Sequence, residues 1–182
     1  MKALDGEDDK AFRDAVKGLI AGDFSRLEPL FEDRRDVDGY HCRIIEWYES
    51  NLFASEPKAL DEALTCACFN GRTEVVDYLL AHGLDPAAGA NTGLDGFHWA
   101  ANRGQLDVVM LLIRHQAPLE KRNMHGTTVL GTAVWSAINE PRQDHTRIIE
   151  ALIRAGARTD NVGYPSANER VDEVFRRLGV AS

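Results

Sequence analysis

Cys66 and Cys68 are the first residues in this chain that could do chemistry, because two closely spaced thiolates can begin a zinc site. The spacing argues against it. Residues two apart on a helix point to different sides, and no second Cys or His cluster has ligand spacing. They read as small core thiols, and no metal is expected. Glu140 with Asp144 is a carboxylate pair, but it falls in a segment that reads as an exposed loop. General acid–base work needs a shielded place that shifts pKa values. His82 and His115 fall in the last turns of helical patterns, where a cation suits the macrodipole. Nucleophile elbows, phosphate loops and paired metal-binding histidines do not occur. The expectation is a non-catalytic protein with no catalytic residue and no cofactor.

The elements that would carry these residues recur. Residues 67–80 run parallel to residues 100–113, a spacing of 33. Gly71 and Gly104 sit between two helical patterns, where a turn takes positive φ at little cost. Each is followed by an apolar stripe, Val75-Val76-Leu79-Leu80 and Val108-Val109-Leu112-Ile113, which keeps one helix face buried. Ala67 and Ala100 allow the shorter helices to approach closely. Gly83 and Gln116 stand at matching ends, and Pro86 and Pro118 are expected to terminate the helical stretches. A two-helix unit of this length cannot bury its apolar face alone, so it must stack on copies of itself.

These residues resemble ankyrin repeats. Gly93-Leu94-Asp95-Gly96-Phe97-His98-Trp99-Ala100 matches the family pattern at Gly93, His98 and Ala100. It departs at Asp95 and Gly96, which implies a softer helix start. Gly126-Thr127-Thr128-Val129-Leu130-Gly131-Thr132-Ala133 keeps Gly126, Thr128, Leu130 and Ala133 and loses the turn-bracing His. The resemblance implies an all-α solenoid of stacked helix-turn-helix units with β-turn fingers. It also implies that His98 braces its turn. The whole pattern is similar to small stand-alone bacterial ankyrin proteins.

One array is expected over 1–182. Its units are a degenerate N-terminal capping unit over 8–37, an irregular half-unit over 38–56, and repeats over 57–89, 90–122 and 123–162. A helix over 166–178 closes the end. In 8–37, Ala11 to Phe31 reads as a helix pair with Ser25-x-x-Glu28 as a capping box, and Asp36-Val37-Asp38 resembles the run that links units. The third repeat carries about seven extra residues near 137–143. Met1 to Asp9 reads as a frayed acidic tail.

Bulk properties narrow the class. Apolar residues make up 44% of 182, enough for a packed core, and the formal net charge is −8. That charge argues against binding a phosphate backbone. No long apolar run or leader-like start is present, and three cysteines suit a reducing cytoplasm. The expectation is a cytoplasmic monomer that binds neither nucleic acid nor membrane.

In ankyrin-like units the fingertips and the last residues of the first helix line the concave face. The helix positions give two ladders: Phe69, Asn102 and Trp135, beside Asn70, Arg103 and Ser136. The fingertips supply Asn91, Thr92 and Leu94, then Arg122, Met124, His125 and Thr127. Asn139, Glu140 and Arg142 come from the inserted segment. Aromatics with Arg and Met among amides make up interface anchors, so another protein is the expected partner, held by an inhibitor or an adaptor. Two alternatives stay open for the aromatics: Phe69 packs under 38–56, and Trp135 either meets a partner or is covered by 137–143. The competing functional reading is an enzyme or small-molecule-binding module with a pocket walled by Trp47, Tyr48 and Phe69. Self-association through an imperfect cap is a third.

Overall fold

The computed structural model describes residues 6–32 and 41–180. The Asp36-Val37-Asp38 link lies outside them. Nine α-helices and no strand occur among the described residues: α1 Gly6–Ala21, α2 Arg43–Glu49, α3 Pro57–Phe69, α4 Thr73–Ala81, α5 Gly96–Arg103, α6 Leu106–Arg114, α7 Val129–Asn139, α8 His145–Arg154 and α9 Glu169–Arg177. Helices α1, α3, α5 and α7 pack in sequence as one row, and α4, α6 and α8 as a second. Helix α9 packs on α8 and α7. No helix among the described residues is long and apolar enough to cross a membrane.

Small residues explain the close first row. Ala59, Ala63, Ala67, Ala100, Ala101 and Ala133 are all buried. The second row buries the apolar stripes, including Val75, Val76, Leu79, Val108, Val109, Leu112, Ile148, Ile149 and Leu152. Gly71 adopts φ +68°, and Arg72 N–H behind it donates to Ala67 O at 2.9 Å. This closes α3 and turns the chain into α4.

Several expectations need correction. Pro86 and Pro118 do not end the helices. Helix α4 stops at Ala81 and α6 at Arg114, closed by left-handed Gly83 and Gln116, with Leu84 N–H on Leu79 O and Ala117 N–H on Leu112 O. The prolines come later, in turns. The frayed acidic tail is helical from Gly6, with Glu7, Asp8 and Asp9 in the first turn of α1, where they suit the positive end of its dipole. The second helix of the first pair is absent. Two 3-10 turns, Phe24–Arg26 and Glu28–Phe31, take its place, and Ser25 and Glu28 form no capping box. Pro29 has no N–H for an α-helical bond, which favours the tighter turns.

The 38–56 segment contains α2 and a 3-10 turn, Leu52–Ser55. Trp47 and Phe53 both meet Phe12 of α1 edge-on, at 5.3 and 5.2 Å between ring centroids. Of the extra residues in the third repeat, 137–139 extend α7, and only 140–144 leave the helix.

Candidate interaction surface

The first finger is fixed from several sides. Asp95 is the N-cap of α5 and accepts from His98 N–H at 3.0 Å. The softer helix start is therefore not found, because a carboxylate replaces the expected hydroxyl cap. His98 is fully buried. Its Nδ1–H donates to Asp95 Oδ1 at 2.7 Å, and Nε2 lies 3.1 Å from Thr127 O in the next finger. Both ring nitrogens thus face oxygen atoms, one in its own unit and one in the next. Lys121 Nζ completes the group at 3.1 Å from Asp95 Oδ2. Burial alone would raise the Asp95 pKa. The His98 bonds and the Lys121 charge outweigh it and hold the carboxyl below its ordinary value. His98 thus braces its own helix start and the following finger.

Glu62 of α3, 2% exposed, holds the base of the same finger by accepting Ala90 N–H and Asn91 N–H. Sequence reading missed it, since a lone Glu in a helix carries no signal of burial. Asn91 Nδ2 donates to Ile20 O at 2.7 Å, which ties α1 to the fingertip. Met124 N–H donates to Gly93 O at 2.9 Å, joining the two fingers.

The ladder residues separate by environment. Trp135 is 52% exposed and Met124 68%, so the inserted segment leaves the Trp135 ring open. Ile138, one helical turn from Trp135, is 39% exposed. Asn91, Arg122, His125, Asn139, Glu140 and Arg142 are exposed, and Thr92, Leu94 and Thr127 half-buried. Ser136 is buried and accepts from Asn102 Nδ2 at 2.9 Å. Asn70 is half-buried and donates to Phe24 O and Cys66 O. Asn102, Ser136 and Asn70 therefore spend their polar groups within the stack.

Phe69 packs on Trp99 and Phe24 at centroid distances of 5.1 and 5.7 Å, and not under 38–56. Arg103 is half-buried with its guanidinium carbon 4.6 Å from the Phe69 ring centroid. It is less exposed than its ladder position implied, because Phe69 offers a ring face for the guanidinium.

A recurring bond positions the inserted loop. Gln105, just before α6, donates from Nε2 to Phe69 O at 3.2 Å. His145, opening α8, donates from Nε2 to Asn102 O at 3.0 Å and accepts Arg142 N–H on Nδ1 at 3.0 Å. In both of these units a polar side chain at this point grips the last turn of the preceding unit's first helix. Aligning 105 with 145 across the insert would have exposed this role. Burial, then the Arg142 charge, holds the His145 pKa below its ordinary 6.5, against opposing backbone bonds and Asp144.

The sign follows from linkage. Below about pH 6.5 the unfolded chain takes up a proton that folded His145 resists, so stability falls on acidification by up to about 1.4 kcal/mol per pH unit. Denaturant unfolding between pH 7 and 5 is expected to show a steeper loss for wild type than for His145→Gln. Equal slopes would remove His145 as the cause.

The thiols of Cys66 and Cys68 are buried, and burial pushes both well above the ordinary range. A cavity of about 520 Å³ lies elsewhere, lined by residues that include Tyr48, Glu49, Phe53, Leu60, Tyr78 and His82. Trp47 and Phe69, expected as walls, do not line it. Trp47 is turned into the core, and Phe69 sits under Arg103. Tyr78 Oη–H donates to Glu49 at 2.9 Å. Its pKa is pushed up to about 12 by burial and then by Glu49, which makes it a poor proton donor.

A family model described as Ankyrin repeats (3 copies) matches residues 64–162, just over half of the chain.

Proposed function

The chain belongs to the ankyrin-repeat family, a protein-interaction module, and on that premise we propose that it binds a partner protein through one continuous face. That face combines the two fingertips, the exposed side of α7 and residues 140–142. The observation that carries the reading is Trp135, a large ring left 52% exposed on a helix whose other face is buried. Met124 and Ile138 add apolar surface, and the amides and charges around them supply a polar rim. The turns before α3 and helix α9 close the two ends of the array on this reading. Such a surface suits an inhibitor or an assembly adaptor acting as a monomer. The buried thiols of Cys66 and Cys68 support a cytoplasmic setting.

Capture from native lysate tests the reading. Met124→Ala with Trp135→Ala is expected to change unfolding free energy by less than about 0.5 kcal/mol, because both side chains are exposed. It is expected to lose a partner that wild type retains. Equal retention by both proteins would move the binding surface elsewhere.

A further inference from the structure

Arg103 and Arg142 come from different units, and Arg142 lies against Gly104, the residue that follows Arg103 at the end of α5. The Arg103 guanidinium carbon lies over the Phe69 ring, 4.6 Å from its centroid, and Nε is buried with no partner. Arg142 packs over Gly104: a Cβ added there would meet Arg142 Cβ and Cδ at 3.1 Å. The bond from Arg142 N–H to buried His145, itself tied to Asn102 O, holds the loop in that place. Neither guanidinium has an ion pair or hydrogen bond among the described residues. The charges of both Arg142 and Glu140 are felt at Arg103, which burial and Arg142 hold below its ordinary pKa. Glu140 offsets only part of these two like charges in a chain of net charge −8, and their mutual repulsion is relieved when an oxyanion bridges them.

We propose that Arg103 and Arg142 clamp a carboxylate side chain, an Asp or Glu, on the segment of the partner protein that docks beside Trp135. The assignment rests on the protein-binding reading above and adds the partner's chemistry to it. Asp144 is already paired with Arg147 at 2.7 Å, so the two guanidiniums with Glu140 leave a local charge of +1, which a singly charged carboxylate balances and a phosphate dianion exceeds. Trp135 and Ile138 lie on the helix that runs into the same loop, so the docked segment places an apolar residue next to its acidic one.

The test uses the full chain and three capped, fluorescein-labelled peptides read by anisotropy: one of alternating Leu and Glu, its Leu-Gln counterpart and a Leu-phosphoserine counterpart. The Glu peptide is expected to bind at least tenfold tighter than the Gln peptide. Arg142→Gln and Arg103→Met are each expected to cost it at least tenfold. Met keeps an apolar stem over Phe69, and exposed Arg142 can be replaced without touching the core. Equal binding of Glu and Gln peptides would overturn the clamp and leave the apolar face standing. Tighter binding of the phosphoserine peptide, or binding of none, would also overturn it. Loss of Glu-peptide binding in both Arg variants but not in Trp135→Ala would support the clamp and count against the Trp135-centred face.

Discussion

Leu112→Ala is expected to lower the unfolding free energy by about 2–5 kcal/mol, the range for truncating a buried leucine. Leu112 is fully buried in α6, which packs between α4 and α8 in the second row and against α5 in the first. Its truncation leaves a void inside the stack. Neighbours in a stacked array cannot close such a void without sliding whole helices, so little of the loss is recovered. Met110, two residues away on the same helix, is 45% exposed, and Met110→Ala is expected to stay within about 0.5 kcal/mol. Denaturant melts of the two variants separate the cases. A Leu112→Ala loss below about 0.5 kcal/mol would place Leu112 outside the core.

His98→Ala is expected to cost about 1–3 kcal/mol, the range for taking a hydrogen-bond partner away from a buried polar group. The change removes a ring bonded to Asp95 and facing Thr127 O. It leaves Asp95, 3% exposed, with Lys121 and one backbone N–H. The acid side carries a second readout. Folded Asp95 titrates below its ordinary 3.8, so its stabilising contribution is present above about pH 4 and is lost as pH falls through the lower folded value. Without His98 that depression shrinks, and the acid-dependent loss should shrink with it. An unchanged acid profile would show that His98 does not stabilise the Asp95 carboxylate.

Much of the fold was legible in the sequence. The 33-residue self-similarity located α4 and α6, since a helix that stacks on a copy of itself must repeat both its apolar stripe and its turn. Helix termini were less legible. Pro86 and Pro118 lie beyond Gly83 and Gln116, where left-handed backbone ends the helices. Proline signals that a helix cannot continue, not where it stopped. The first pair misled because Ser25 and Glu28 have capping-box spacing, while Pro29 turns that stretch to 3-10 geometry.

Sequence by itself determined which residues stack: apolar side chains at helical spacing in successive units have one way to be buried together. The exposure of the polar ladder residues was decided only by tertiary structure. Asn102 meets Ser136, Arg103 meets Phe69, and His145 meets Asn102, all across 30 residues or more of chain. Equivalent positions in the repeat have different neighbours in each unit, and a polar side chain turns toward whichever neighbour satisfies it. Trp135 stays in solvent because no such neighbour reaches it, and periodicity alone carries no information about that.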